Sequence, residues 1–107
     1  MDNVTIDHII NELKSLLSQK YKDFKGIYFY GSRVRGDNQA DSDYDLMFVF
    51  DREVDQKLKE EIVHLLYSYE LESDIIIDCR VYSANDVHNI YTPFINNVVN
   101  EGVFYGV

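Results

Sequence analysis

The residues with the clearest chemical potential follow an apolar segment at positions 26–30. Gly31 and Ser32 come directly after this segment, where a buried strand is predicted to end. A glycine there lets the backbone turn sharply and leaves room for a phosphate to approach. Ser32 falls in the first turn of a short predicted helix. The backbone N–H groups of this turn and the Ser32 hydroxyl can hold a triphosphate. The sequence therefore predicts a phosphate-binding turn.

Two acidic residues follow this turn after a short polar loop. Asp43 and Asp45 are two positions apart at the start of a predicted strand over residues 43–50. Side chains alternate between the faces of a strand, so both carboxylates are expected on one face, a few ångströms apart. Two like charges so close are unfavourable unless a cation lies between them, and Mg²⁺ prefers carboxylate oxygens with phosphate nearby. The pattern predicts a magnesium site beside the phosphate-binding turn.

A third acidic residue interrupts another apolar segment. Asp78 lies within a predicted strand over residues 75–82, where an acid is costly to bury without a partner. Arg80 is on the same predicted face and could supply that partner. Asp74, at the entrance to this strand, is the alternative third carboxylate of the site.

The helices and strands that position these residues are predicted from alternating helical and extended patterns in the sequence. Apolar residues with a helical period predict helices over 6–17 and 58–69, and β-branched or aromatic segments predict strands over 26–31, 43–50 and 75–82. Ser83 and the pair Thr92-Pro93 predict the starts of two further helices, the second of which ends at Gly102. Residues 103–105 could add an edge strand. This order predicts an α/β or α+β domain.

Length, charge and cysteine content exclude several classes of function. With 107 residues, 46% of them hydrophobic, the chain is expected to form one domain, residues 1–107, without a second catalytic or substrate-binding domain. Its formal charge of −9 has the wrong sign for binding nucleic acid through phosphates. Cys79 is the single cysteine, which is typical of a reducing compartment. Since no leader or membrane-spanning segment is evident, we expect a cytoplasmic protein that does not contact membranes.

The order and spacing of these residues resemble a known family. A G-S-x-x-x-G motif followed by S-D-x-D-L is similar to the motif of the minimal nucleotidyltransferases, within the DNA polymerase β superfamily. The resemblance implies a small mixed β-sheet flanked by helices and a metal-dependent transfer of a nucleoside monophosphate, with ATP as the expected donor, to a hydroxyl group. The matching residues are Gly31, Ser32, Gly36, Ser42, Asp43, Asp45 and Leu46.

The same resemblance implies roles for individual residues. Gly31 and Ser32 would hold the β- and γ-phosphates of the nucleotide, and Arg33, Gly36 and Ser42 are assigned to the same nucleotide site. Arg33 and Arg35 could each contact the phosphates, or could instead neutralise the acidic loop. Two Mg²⁺ ions would be ligated by the acidic residues, with Asp78 binding the metal near the attacking hydroxyl and helping to deprotonate it. The three predicted metal-binding and catalytic residues are Asp43, Asp45 and Asp78.

The resemblance also implies a partner. Many minimal nucleotidyltransferases are antitoxins that silence a HEPN-type ribonuclease toxin by adding AMP to a tyrosine, and a strongly acidic chain fits a protein substrate. The leading hypothesis is therefore adenylyl transfer to a protein. Two alternatives stay open: a catalytically weak binding module that inhibits its partner by contact, and an enzyme that modifies a small molecule such as an aminoglycoside. For the latter, a homo-oligomer could supply the second wall of the cleft.

Overall fold

The computed structural model describes the backbone of residues 3–107 and the side chains of residues 6–107. Within residues 3–107, four strands and five helices follow one another. In chain order they are α1 (Asn3–Lys20), β1 (Phe24–Tyr30), α2 (Ser32–Arg35), β2 (Tyr44–Phe50), α3 (Gln56–Ser73), β3 (Ile77–Ser83), α4 (Ala84–His88), α5 (Pro93–Glu101) and β4 (Val103–Gly106).

The strands form one mixed sheet in the order β3-β2-β1-β4. Antiparallel pairing joins β1 to both β2 and β4, whereas β2 and β3 run parallel. The parallel pair needs a long crossover, and α3 provides it. The predicted small mixed sheet flanked by helices is confirmed, and so is the edge strand at its C-terminal end.

The two faces of the sheet carry hydrophobic cores of different size. The larger core lies where the buried faces of α1 and α3 pack against side chains such as Ile27 and Phe48. On the other face, a smaller cluster joins Tyr30 and Met47 to Val98 of α5. Each fully buried large apolar side chain stabilises the fold by about 1.5–3 kcal/mol. The larger core therefore contributes most of the stability, and part of the smaller face is left to polar residues.

β3 begins later than the apolar pattern predicts. The predicted strand starts at residue 75, whereas β3 starts at Ile77. The reason is that α3 is longer than predicted and ends in the C-cap Asp74, whose φ of 55° is left-handed. The N–H of Ile75 donates to the Glu70 carbonyl at 3.1 Å, so Ile75 closes the helix end instead of entering the sheet.

The later helices begin at the predicted capping residues. The Ser83 hydroxyl accepts a hydrogen bond from the N–H of Asp86 at 3.1 Å, and the Thr92 hydroxyl accepts one from Ile95 at 3.2 Å. α5 ends at its predicted C-cap, Gly102. Within residues 3–107, no helix has both the length and the apolar character to cross a bilayer.

Candidate active site

Tyr30, Asp45 and Asp78 lie side by side on the adjacent strands β1, β2 and β3. Asp45 is opposite Tyr30 in the antiparallel ladder and opposite Asp78 in the parallel one. Directly paired residues point to the same face of a sheet, which here is the face that packs on α5. All three line one pocket of about 410 Å³. Asp74, the alternative third carboxylate, lies outside this row at the C-terminus of α3.

Gly31 brings the phosphate-binding turn against Asp45. Its φ of 88° lies in the left-handed region, and a Cβ atom at this position would overlap the Asp45 carboxylate. The Gly31 carbonyl accepts hydrogen bonds from the N–H groups of Val34 and Arg35, at 3.1 and 3.0 Å, and so begins α2. The predicted short helix starting at Ser32 is confirmed. Glycine is required here both for the backbone conformation and for the close approach of the carboxylate.

Asp43 lies one residue before the strand that carries Asp45. The predicted strand starts at residue 43, whereas β2 and its ladder with β3 start at Tyr44. The Asp43 side chain is exposed, and that of Asp45 is half-buried. Asp43 still lies close enough to raise the pKa of Asp45 through its charge. Its place in a metal site stays a prediction.

The pKa of Asp45 is raised to about 6. Burial is the largest cause, and the carboxyl groups of Asp78 and then Asp43 add to it, while the Arg80 guanidinium opposes it. Asp78 acts both through its charge and through a hydrogen bond between the two carboxyl groups. Arg80 Nε lies 3.7 Å from Asp78 Oδ1, which confirms the predicted partnership of these two residues. The protein therefore compensates the negative charge of the site only in part.

These carboxylates fit a divalent cation that is shared with a nucleotide. Among residues 6–107, no group of three acidic, histidine or cysteine side chains is placed to hold a metal ion by itself. Mg²⁺ commonly takes only one or two protein carboxylates and completes its coordination with waters and substrate phosphates. Asp45 and Asp78 offer adjacent hard oxygen donors, and a cation between them would relieve the repulsion that raises the Asp45 pKa.

Asp45 is expected to make the folded state more stable in mild acid. Its pKa rises from an ordinary 3.8 to about 6 on folding, so the folded state binds the proton more tightly. This contribution is fully present below pH 3.8 and is lost as the pH rises through about 6. As the pH falls from about 7 to about 5, the melting temperature of the wild type should rise relative to that of Asp45→Asn, which cannot titrate. A difference that does not change with pH would contradict this.

Several pocket residues carry no sequence signal. Phe94, Asn97 and Glu101 of α5 line the pocket together with the carboxylates. Arg35 also reaches the pocket, and its Nη1 lies 3.6 Å from Glu101 Oε1, so α2 and α5 are joined by an ion pair. α5 reaches this face because it is followed by β4, which pairs with β1. No local pattern connects α5 with the motif region, so sequence reasoning missed the three residues of α5, whereas Arg35 was a predicted phosphate contact.

Arg33 is bound to the loop that follows α2. Its Nε and Nη2 donate to the Ser42 carbonyl at 3.0 and 2.9 Å, and Nη2 also donates to the Ala40 carbonyl at 3.1 Å. The guanidinium lies 4.0 Å from the centre of the Tyr44 ring. These contacts hold the loop against the start of β2. Because Arg33 does not line the pocket, its assignment to the nucleotide site stays a prediction.

Arg33→Lys is expected to destabilise the protein by about 1–3 kcal/mol, because an ammonium group cannot replace the forked donors that bind two carbonyl groups. Chemical denaturation measures the change. Arg35→Lys is the matched control, since Arg35 is half-exposed and its ion pairs with Asp37 and Glu101 lie at the surface. Equal stability of the two variants would show that Arg33 does not hold the loop.

Gly36 and Ser42, the other two predicted nucleotide-binding residues, shape the same loop. Gly36 ends α2 with a φ of 89°, and its N–H donates to the Ser32 carbonyl at 2.8 Å. The Ser42 hydroxyl accepts a hydrogen bond from the N–H of Gln39 at 2.8 Å. Neither residue lines the pocket, so a direct contact with the nucleotide stays a prediction for both.

The fold combines a mixed sheet, a glycine turn after β1 and paired carboxylates on β2 and β3. This is the architecture of a nucleotide-transferring enzyme. The family model "Polymerase beta, Nucleotidyltransferase" matches residues 11–104. The chain therefore belongs to the polymerase β nucleotidyltransferase family, as the motif predicts. Enzymes of this family use a nucleoside triphosphate and a divalent metal.

The similar proteins are consistent with this family. In Methanocaldococcus jannaschii, the "Putative protein adenylyltransferase MJ0141" is 33% identical over 99 residues, which cover 92% of this chain and 96% of that protein. The "Putative protein adenylyltransferase MJ1379" of the same organism is 28% identical over 100 residues, covering 94% and 93%. A crystal structure described as "the toxin-antitoxin with AMP-PNP" has a TM-score of 0.65 at 21% identity, covering 92% of this chain and 73% of that one. The last comparison shows a shared fold.

Proposed function

We propose that this chain transfers AMP from ATP to a hydroxyl group of a protein partner, with Mg²⁺ as the metal. The observation that carries the proposal is the placement of Asp45 and Asp78 side by side, with the Gly31 turn against them, in one pocket. Adjacent carboxylates beside a phosphate-binding turn suit a displacement at phosphorus. The names of the two M. jannaschii relatives support AMP as the transferred group and a protein as the acceptor.

In this proposal each residue acts on a different part of the reaction. The turn at Gly31 and Ser32 binds the β- and γ-phosphates. The carboxylates of Asp43, Asp45 and Asp78 would hold two Mg²⁺ ions, which would neutralise phosphate charge and favour ionisation of the acceptor hydroxyl. Asp78 also accepts the proton of that hydroxyl as its oxygen forms a bond to the α-phosphorus. The bond from this phosphorus to the bridging oxygen breaks, and pyrophosphate leaves.

Charge and fold support a toxin as the partner. The formal charge of −9 favours association with a basic protein surface. The fold is shared with a solved toxin–antitoxin structure, which supports an antitoxin role for this chain. A HEPN-type toxin as the acceptor is proposed from the resemblance of the motif to the minimal nucleotidyltransferases.

Mass spectrometry of candidate acceptors after incubation with ATP and Mg²⁺ tests this function. The proteins encoded by neighbouring genes serve as candidates, and we expect one of them to gain the mass of AMP only when both ATP and Mg²⁺ are present. Asp78→Asn should abolish the transfer because it removes the proton acceptor.

Asp74→Asn is the matched control for that variant. It makes the same chemical change close by in the chain, at a left-handed C-cap that Asn also adopts readily. We expect it to transfer AMP normally. Transfer that persists in Asp78→Asn and disappears in Asp74→Asn would reverse the assignment of the third carboxylate.

Asp43 does not line the pocket with Asp45 and Asp78, which favours a second candidate, a catalytically weak module that inhibits its partner by contact. Such a module would bind and inhibit the partner without ATP. The Asp45→Asn variant would then inhibit the partner as well as the wild type does. Labelling of a small molecule such as an aminoglycoside, with none on any protein, would instead identify a small-molecule nucleotidyltransferase.

A further inference from the structure

The hydroxyl group of Tyr30 is buried without a hydrogen-bond partner. Among the described residues it is the single buried side-chain polar atom left in this state. Only 8% of the Tyr30 surface is exposed, and its ring packs edge-on against Phe94 with 5.6 Å between the ring centres. A buried hydroxyl without a partner destabilises the folded state, and phenylalanine would fill the same space without that penalty. We therefore expect this hydroxyl to form a hydrogen bond in another state of the protein.

The groups that surround this hydroxyl are the charged side chains of the candidate active site. Tyr30 is in register with Asp45 and shares a pocket with Asp45, Asp78 and Arg80. The pKa of Tyr30 is raised, first by burial, then by the charge of Asp78 and then by that of Asp45, while Arg80 lowers it. A tyrosine hydroxyl donates one hydrogen bond, and an ionised carboxylate accepts several. The hydroxyl is thus a donor placed beside acceptors.

We propose that Tyr30 is a positioning residue, whose hydroxyl donates a hydrogen bond to the carboxylate pair of Asp45 and Asp78 when the metal and nucleotide are bound. This inference rests on the proposed function, in which these two carboxylates bind metal. In the structure described here, Asp78 lies opposite Asp45 in the parallel ladder, and Arg80 Nε lies 3.7 Å from its Oδ1. Carboxylates that bind metals are commonly oriented by hydrogen bonds of this kind.

Tyr30→Phe removes the hydroxyl and leaves the ring in place. Without ligands, the variant should unfold at the same temperature as the wild type or higher, because the unpartnered buried hydroxyl is gone. With ATP present, the Mg²⁺ concentration for half-maximal nucleotide binding should rise by about 10–100-fold, the usual effect of losing a hydrogen bond to a metal ligand. Thermal unfolding and calorimetric titration of ATP at a series of Mg²⁺ concentrations measure the two quantities.

Tyr82→Phe is the matched control. Tyr82 lies on β3, with its ring 6.1 Å from that of Phe94, but it does not line the active-site pocket. The Tyr82→Phe variant loses a tyrosine hydroxyl close to the site. We expect its Mg²⁺ requirement for ATP binding to equal that of the wild type.

The outcomes separate this inference from the proposed function. If the wild type binds ATP in a Mg²⁺-dependent way and Tyr30→Phe has the same Mg²⁺ requirement, the role of Tyr30 is wrong while the proposed function stands. If Tyr30→Phe is clearly less stable than the wild type without ligands, the hydroxyl has a structural role and the inference is overturned. If the wild type shows no Mg²⁺-dependent ATP binding, both proposals fall.

Discussion

Asp45→Asn should slow nucleotidyl transfer by about 10³-fold or more and leave the folded state equally or more stable. Asp45 lies between Tyr30 and Asp78 at the centre of the site. The substitution therefore removes one of the two adjacent carboxylates of the site. Bound metal ions contribute several kcal/mol of transition-state stabilisation, and a loss of about 4 kcal/mol corresponds to about 10³-fold. Stability should not fall, because burial and neighbouring charges already disfavour the ionised form of Asp45.

Transfer of label from ATP that is radioactive at the α-phosphate measures this effect, and thermal unfolding measures stability. The control Asp41→Asn removes the same charge from an exposed aspartate in the preceding loop and should retain transfer. Near-normal transfer by Asp45→Asn, with an unchanged requirement for Mg²⁺, would place the metal site elsewhere in the molecule.

Gly31→Ala should impair both catalysis and stability, because the added methyl group has no space beside Asp45. A Cβ atom would overlap one carboxylate oxygen and lie 2.9 Å from the Asp45 carboxyl carbon. Asp45 must then move from its place next to Asp78. Displacement of a reacting group by about 1 Å can lower a rate by about 10²-fold, and we expect a loss of transfer at least of this size.

Gly36→Ala separates this overlap from backbone strain. Gly36 has nearly the same φ as Gly31, 89° against 88°, but a Cβ atom there would meet nothing within 4 Å. We expect Gly36→Ala to lose about 1–2 kcal/mol of stability from the left-handed conformation alone, and to lose far less transfer activity than Gly31→Ala. Equal losses of activity would indicate that backbone conformation, and not the space beside Asp45, limits the reaction.

The motif could be read from the sequence because its parts lie close together in the chain. The turn at Gly31, the short helix that begins at Ser32 and the strand that carries Asp45 follow one another over a few residues. Their conformations depend on local chemistry: a glycine at a positive φ, a helix start and a run of β-branched and aromatic residues. The capping residues Ser83 and Thr92 were predictable for the same reason.

The start of β2, one residue after Asp43, shows the limit of such local reasoning. The alternation rule holds only within a strand, and the position at which a strand begins depends on its partner. β2 starts at Tyr44 because its ladder starts with Tyr44 opposite Ile77, and β3 is delayed by the end of α3. The spacing between Asp43 and Asp45 therefore did not predict that one carboxylate is exposed and the other half-buried.

The order of elements, the glycine turn and the candidate carboxylates, with Asp78 and Asp74 as alternatives for the third, follow from the amino-acid sequence, since propensity, capping and hydrophobic period act over neighbouring residues. Only the packed fold decides which carboxylate lies beside Asp45. It also brings Tyr30 and α5 into the pocket of Asp45. The physical reason is that hydrogen-bond register and helix packing join segments far apart in the chain. Their geometry is set by the burial of the whole sheet, which no single segment encodes.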